Sequence, residues 1–302
     1  GDLRQPALVK QARESGLRFE VGPFIVLLHS DVTSFLDILA RFYAPVPLLQ
    51  EVEPAHYHVS ITRVKGLRRF VRPQVQFTVD GIQPFEPYPV DHAFPMYEWG
   101  LNWCIGTTAN HNLMLHSAVV EKHGRGVILP ALPGSGKTTL CAGLVSAGWR
   151  LLSDEFGFIR HADGMLLPLP RAAPLKNASI DLIRRLAPSM PLGPRFEGTR
   201  KGTVAHLAPP AESLQRQQEA VRPRWIIFPR YSAGAETGLA RQPRSVAFAR
   251  LVNNSFNYPV TGAAGFGSLT RLVRSVDCYE LPNGELDAAV TQVECLLQAD
   301  LA

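Results

Sequence analysis

The sequence predicts an α/β fold with a smaller β-rich region at its N-terminal end, and three observations lead to this prediction. The first third of the chain holds short runs rich in Val, Ile, Phe and Thr, bounded by Gly, Pro or Asp, which is typical of strands. Later segments read as apolar strands that alternate with helices. At 127–140 the chain reads VILPALPGSGKTTL, in which an apolar run breaks on glycines and continues as a helix-like segment.

The N-terminal region (1–95) is predicted to be β-rich, with one helix. The helix is expected at 34–46, where the apolar side chains recur at helical spacing. Strands are expected at 22–30, 57–64 and 73–81. The segment 81–95 contains four prolines, which predicts a linker or a wrapping segment and places a domain boundary near residue 95. We expect this region to serve recognition or assembly.

The remainder of the chain (96–302) is predicted to be a second domain, which carries the motif at 127–140. Its helices are expected at 96–110, from the glycines to about Ala147, at 178–188, 243–256, 265–275 and 285–301. Its strands are expected at 113–121, 124–130, twice within 149–170, at 224–230 and at 276–282. The glycine-rich, basic segment 193–210 is predicted to be a flexible loop, and one reading makes it a lid over phosphates.

Composition and charge limit the classes of partner. The chain has 302 residues, is 46% hydrophobic and carries a formal net charge of +5, which fits an anionic ligand and is too weak to indicate nucleic acid. Its four cysteines form no C-x-x-C pair, which indicates a reduced, cytoplasmic protein. The polar start lacks the apolar core of a signal peptide, and no apolar run is long enough to predict a membrane span. A homo-oligomer stays open.

The stretch ALPGSGKT fits the relaxed pattern of a P-loop, with Ala131 where the first glycine usually stands. Glycines let backbone N–H groups converge on phosphates, and the N-terminus of the following helix adds positive potential. Lys137 is expected at the terminal phosphates, and Thr138 is expected to place its hydroxyl on a Mg²⁺ ion. The residues predicted to bind the nucleotide are Pro133, Gly134, Ser135, Gly136, Lys137, Thr138 and Thr139. Residues 131–136 are called the glycine loop below.

An acidic pair, Asp154 and Glu155, follows the next predicted strand. If that strand runs parallel to the strand before the glycine loop, the two carboxylates lie beside the loop. Carboxylates there can bind Mg²⁺ or accept a proton from an attacking hydroxyl. His116 lies in the middle of an apolar strand, where a histidine is more often a packed core residue than a catalytic one.

The stretch LHSAVVEKHGRGVILPALPGSGKTTLCAGLVSAGWRLLSDE (115–155) resembles the core of the HPr kinase/phosphorylase family, and is most similar to the HprK-related kinase A proteins. The resemblance implies a P-loop kinase core of the type shared with phosphoenolpyruvate carboxykinase, with ATP and Mg²⁺ as cofactors. It implies that Lys137 and Thr138 hold phosphate and metal, that Asp154 lies near the metal, and that Glu155 is the general base. His116 matches a family histidine close to the metal and the base.

The sequence also departs from the family. Glu197 is matched to a further metal-site glutamate, but Arg200 follows it three residues later and no Arg-Gly pair occurs. The glycine-rich signature linked to dephosphorylation is not reproduced, so the resemblance does not predict reverse phosphorylase activity. The N-terminal third shows no likeness to the family's N-terminal domain, so the acceptor could be a protein other than HPr, or a peptide.

Three functions therefore stay open. The leading hypothesis is an ATP-dependent kinase that acts on a serine-type hydroxyl of a protein or peptide. The second is a kinase for a small-molecule hydroxyl, since acceptor recognition usually depends on loops. The third is a nucleotide-binding regulator with little transfer activity. The basic stretch at 63–72 is predicted to be a solvated hairpin or, alternatively, a surface for an acidic partner.

Overall fold

A computed structural model describes residues 6–50, 54–66, 71–132 and 134–302, and within these ranges the chain is a mixed α/β protein whose strands form three sheets. Two sequence predictions fall partly outside these ranges. Pro133 of the glycine loop is not among the described residues, and neither is the middle of the basic stretch at 63–72.

The N-terminal sheet consists of five described strands in the order β1-β2-β3-β4-β5. The strands are β1 (Leu17–Val21), β2 (Phe24–Ser30), β3 (Tyr57–Arg63), β4 (Gln74–Val79) and β5 (Tyr88–Pro89). The helices of this region are α1 (Pro6–Glu14) and α2 (Thr33–Tyr43), and α2 connects the parallel pair β2 and β3. The three strands and the helix predicted here are confirmed, while β1 and α1 were not predicted.

Helix α3 (Ala93–Thr108) joins the N-terminal region to the rest of the chain. Its side chains Phe94, Tyr97 and Leu101 are buried in the same core as the N-terminal sheet. The same core includes Phe156 and Phe158, which belong to the large sheet described below. The boundary predicted at residue 95 thus falls inside a helix that packs on the N-terminal sheet, and the division into two domains stays a prediction.

Gly100 in α3 allows this helix to pack closely on the N-terminal sheet. A Cβ atom added at Gly100 would lie 2.1 Å from the fully buried ring of Phe77. We therefore expect Gly100→Ala to lower the free energy of unfolding by about 1–3 kcal/mol, because the ring or the helix must move. Gly106→Ala in the same helix is the matched control, since its Cβ would meet nothing closer than 3.8 Å. That control should raise stability slightly through helix propensity. Urea denaturation measures both, and equal stability of the two variants would contradict this packing.

The remaining strands lie in two sheets. In chain order they are β6 (Asn112–Lys122), β7 (Arg125–Pro130), β8 (Arg150–Ser153), β9 (Phe156–Arg160), β10 (Leu166–Leu167), β11 (Ala173–Lys176), β12 (Phe196–Thr199), β13 (Gly202–Leu207), β14 (Pro223–Tyr231), β15 (Ala240–Arg241) and β16 (Asp277–Asn283). The large sheet has the order β10-β9-β6-β7-β14-β16-β15, with β8 also paired to β6. Strands β7, β14 and β16 are parallel neighbours. The small sheet has the order β11-β13-β12.

Helices cover both faces of the large sheet. After α3, the helices are α4 (Lys137–Ser146), α5 (Ala178–Leu186), α6 (Ala211–Gln215), α7 (Arg244–Asn253), α8 (Tyr258–Ser275) and α9 (Leu286–Leu301), of which α5 packs on the small sheet. In β14, Trp225 and Ile227 pack in one buried cluster with residues of α4 and α9, whereas Ile226 and Phe228 pack in another with residues of α7 and α8. Burial on both faces explains why the strand at 224–230 could be predicted as an apolar run.

The segment 193–210 differs from its prediction as a flexible loop. It forms the hairpin β12–β13, and β13 also pairs with β11. The physical reason is apolar burial, since Phe196, Val204 and Leu207 are each at most 4% exposed. The other helices and strands predicted between 96 and 302 are confirmed, with differences at their ends.

Within the described residues, we find no helix that combines the length and the apolar character needed to cross a membrane.

Candidate functional site

The glycine loop follows β7 at the edge of the large sheet where the parallel strands end. Gly134 and Gly136 have φ angles of +88° and +83°, in the left-handed region that favours glycine. A Cβ at Gly136 would also lie 3.0 Å from the Cβ of Tyr231, the last residue of β14. Helix α4 begins at Lys137, directly after the loop, so its free N–H groups face this edge. The local structure is suited to an anion.

Lys137 and Thr138 both contact Asp154. The Lys137 Nζ donates a hydrogen bond to the backbone oxygen of Asp154 at 2.5 Å, and the Thr138 Oγ1 donates to Asp154 Oδ2 at 3.0 Å. The expected proximity of the acidic pair to the glycine loop is therefore observed. Strands β7 and β8 run in the same direction, as predicted, but β6 lies between them and is antiparallel to both.

The two acids of the pair have different environments. The Ser153 Oγ accepts hydrogen bonds from the backbone N–H groups of Glu155 and Phe156, which fixes the turn after β8. Asp154 is 5% exposed, whereas the Glu155 side chain is 36% exposed. This turn therefore directs the Asp154 carboxylate inward, towards Thr138, and leaves the Glu155 carboxylate accessible.

Asp154 is suited to a hard cation. Burial raises the pKa of Asp154 to about 6, although the Lys137 charge opposes this shift. Its second carboxylate oxygen, Oδ1, is buried and has no hydrogen-bond partner among the described residues. A carboxylate with an unused oxygen beside a hydroxyl is a ligand set that Mg²⁺ accepts together with phosphate oxygens and water. The described residues contain no group of three or more His, Cys, Asp or Glu arranged as a metal site.

His116 lies beside Glu155 on the accessible side. The His116 Nε2 is 3.6 Å from Glu155 Oε1, and its ring lies 5.3 Å from the ring of Phe256. Burial, followed by the positive charge of Lys137, lowers the pKa of His116, so the imidazole is neutral near pH 7. His116 is therefore placed as a neutral partner of the Glu155 carboxylate rather than as a core residue.

Two further lysines lie close enough to interact with the charged groups of this site. Lys176 ends β11, and Lys201 lies in the turn between β12 and β13. Burial and the charge of Lys201 lower the pKa of Lys176, which also interacts with Glu155 and Asp154. Sequence reasoning missed Lys176, because no sequence pattern shows that the end of β11, a strand of the small sheet, lies beside Asp154 and Glu155. The side of the site that faces these lysines is cationic.

The other predicted residues divide into two groups. Ser135 and Thr139 lie with the loop and the start of α4, and the Ser135 Oγ is buried without a hydrogen-bond partner among the described residues. Glu197 is exposed and lines a surface cleft with residues of α2 and the start of α3. Glu197 is not among the residues that line the cavity at Asp154 and Glu155. Its role as a metal ligand stays a prediction without geometric support.

A buried polar network ties the N-terminal helices to the segment behind the acids. Arg171 pairs with Glu98 of α3 at 2.6 Å, and Glu98 accepts a hydrogen bond from the Tyr43 hydroxyl of α2 at 2.9 Å. The same hydroxyl accepts from the backbone N–H of Ala172 at 3.0 Å. Glu98 and Arg171 line a cavity together with Asp154. The N-terminal region therefore supports the back of the site.

A scan against protein-family models gave no match to this chain, and a search of curated proteins gave none either. The likeness to the HPr kinase/phosphorylase family thus stays a prediction that rests on residues 115–155.

Proposed function

We propose that this protein is an ATP-dependent phosphotransferase that moves the γ-phosphoryl group to a serine-type hydroxyl of a protein or peptide. The observation that carries the proposal is the convergence of Lys137, Thr138 and Asp154 beside the pair His116 and Glu155. Phosphoryl transfer requires a cradle for phosphate, a cation site and a base at the acceptor, with little covalent chemistry by the protein. Each requirement has a candidate side chain here.

The nucleotide side of the site is formed by the glycine loop and the start of α4. Backbone N–H groups of the loop bind the phosphates, and the Lys137 ammonium stabilises charge on the transferred group. The Thr138 hydroxyl and the Asp154 carboxylate would hold Mg²⁺, which neutralises charge on the phosphates when bound. The core would then be a P-loop kinase core, as the resemblance to HPr kinase/phosphorylase implies.

The acceptor side is formed by Glu155 and His116. The accessible Glu155 carboxylate takes the proton of the acceptor hydroxyl as the hydroxyl oxygen bonds to the γ-phosphorus. The bond from that phosphorus to the bridging oxygen breaks, and ADP leaves. The neutral His116 imidazole positions that carboxylate and stabilises the proton on it. Phe256, which is 44% exposed, lies against His116 and supplies apolar surface for the flanks of a peptide or protein acceptor.

Glu155→Gln should abolish transfer and leave ATP affinity within about tenfold of the wild type, because a base acts on the acceptor and not on the nucleotide. Single-turnover kinetics with γ-labelled ATP and calorimetry of ATP binding measure the two effects separately. Glu86→Gln, at an exposed position between β4 and β5, is the matched control.

A Glu155→Gln protein that transfers phosphate at the wild-type rate would contradict the assignment of the base. A protein that loses ATP binding together with transfer would place Glu155 on the nucleotide side instead. Label found on a small molecule rather than on protein would favour the metabolite kinase among the alternatives.

A further inference from the structure

A second cleft adjoins the glycine loop at Gly136, and Asp154 does not line it. It lies between α5, the start of α9 and the ends of β14 and β16. Gly136 and Thr139 form its inner rim, and the exposed ring of Tyr231 lies beside them. The acids Asp154 and Glu155 and the imidazole of His116 do not line it. The roles proposed above for Asp154, Glu155 and His116 therefore do not involve this cleft.

The direction in which a nucleotide lies follows from the contacts at the start of α4. Lys137 and Thr138 are the residues of such a loop that reach the β- and γ-phosphates and the metal, and here both contact Asp154. The terminal phosphates are therefore on the Asp154 side. The α-phosphate and the nucleoside must leave on the other side, where Thr139 and Gly136 open into the cleft.

The walls of the cleft suit an aromatic base and a ribose. Tyr231 is 52% exposed, and its backbone N–H donates to the Ser135 oxygen at 3.0 Å, which fixes it to the glycine loop. Leu182 and Leu186 of α5 supply apolar surface, and Glu285 and Asp287 at the start of α9 supply hydrogen-bond acceptors. Flat aromatic surface binds bases by stacking, and carboxylates accept hydrogen bonds from ribose hydroxyls or base amino groups.

We propose that this cleft is the nucleoside site of the protein, with the base stacked on the Tyr231 ring. The proposal rests on the proposed function, because it requires that the glycine loop hold the phosphates of a nucleotide. It assigns Tyr231 as a binding residue, together with the walls formed by α5 and α9. Stacking tolerates any base, so Tyr231 contributes affinity for nucleosides as a class.

The test compares two ligands that differ only in the nucleoside. Mg²⁺–ATP and Mg²⁺–tripolyphosphate are titrated into the full chain by calorimetry. Tyr231→Ala keeps the Cβ that faces Gly136 and removes the ring, so we expect ATP affinity to fall about tenfold while tripolyphosphate affinity is unchanged. Tyr231→Phe should bind ATP like the wild type. Phe266→Ala is the matched control, since Phe266 is 55% exposed and lies outside the cleft on α8.

A second variant fills the cleft without touching Tyr231. Ala178 is an exposed residue that lines the cleft at the start of α5. Ala178→Trp should block ATP and leave tripolyphosphate binding intact. Wild-type ATP affinity in both Tyr231→Ala and Ala178→Trp would overturn the cleft proposal alone. Equal loss of both ligands would also overturn it, because damage would then lie in the glycine loop. A wild-type protein that binds neither ligand would refute the proposed function as well.

Discussion

Lys137→Ala should reduce the rate of phosphoryl transfer by about a thousandfold while the protein stays folded. Lys137 is 8% exposed, and its ammonium contacts Asp154 next to the glycine loop, where water screens its charge poorly. A buried cation at this place stabilises the charge that develops on the transferred group, and alanine supplies nothing in its place. Initial rates at saturating ATP, with circular dichroism to confirm folding, measure the effect.

The control for this prediction is Lys10→Ala, which removes a lysine of α1 whose side chain is 72% exposed. Thr138→Ser and Thr138→Val form a second matched pair, because only the serine keeps the hydroxyl that contacts Asp154. We expect activity in the serine variant and a large loss in the valine variant. Wild-type rates in a folded Lys137→Ala protein would show that the glycine loop is not a catalytic phosphate site.

Asp154→Asn should have opposite effects on stability and on nucleotide binding. The pKa of this carboxyl rises from its ordinary value of 3.8 to about 6 on folding, so its ionised form destabilises the folded protein. The ligand-free variant should therefore be more stable than the wild type by on the order of 1–3 kcal/mol above about pH 6. Mg²⁺-dependent ATP binding should weaken, because a neutral amide is a poorer ligand for a hard cation.

The pH dependence separates this explanation from a general packing effect. Below about pH 4 the Asp154 carboxyl is protonated in both the folded and the unfolded wild type. The destabilisation by its ionised form then disappears, and the variant is no longer more stable than the wild type. The difference should grow between about pH 4 and 6 and then stay constant. Urea denaturation in EDTA across this range measures it, with the exposed Asp37→Asn as the control. A pH-independent difference, or undiminished Mg²⁺-dependent binding, would contradict the role of Asp154.

Most of the large sheet could be predicted because its central strands are buried on both faces. Residues 127–130 and 225–229 are continuous apolar runs, a signal that does not depend on tertiary contacts. The hairpin β12–β13 gave no such signal, since its charged and glycine residues masked the few apolar positions that pack. The partner strand β11, distant in sequence, supplies the pairing that orders it.

Some residues of the candidate site could be predicted and others could not, again because only some positions depend on local sequence and strand direction. Asp154 could be placed beside the glycine loop because strand direction alone puts both at one edge of the sheet. Glu197 was placed by resemblance, and no described contact brings it to that edge. Tyr231 was missed although it follows the strand predicted at 224–230. The structure shows that this strand is parallel to β7, so its end lies at the same edge of the sheet as the glycine loop. Lys176 depends on how a short strand of another sheet lies over the loop, which the sequence does not reveal.

The measurement that tests the central claim most directly is the fate of a γ-phosphoryl label. Purified protein is incubated with γ-labelled ATP, Mg²⁺ and either a cell extract or a metabolite pool, beside Lys137→Ala and Glu155→Gln. We expect label on serine residues of protein or peptide, at a rate that depends on both Lys137 and Glu155. Bound ATP with no transfer to any acceptor would contradict the claim and indicate a nucleotide-binding regulator.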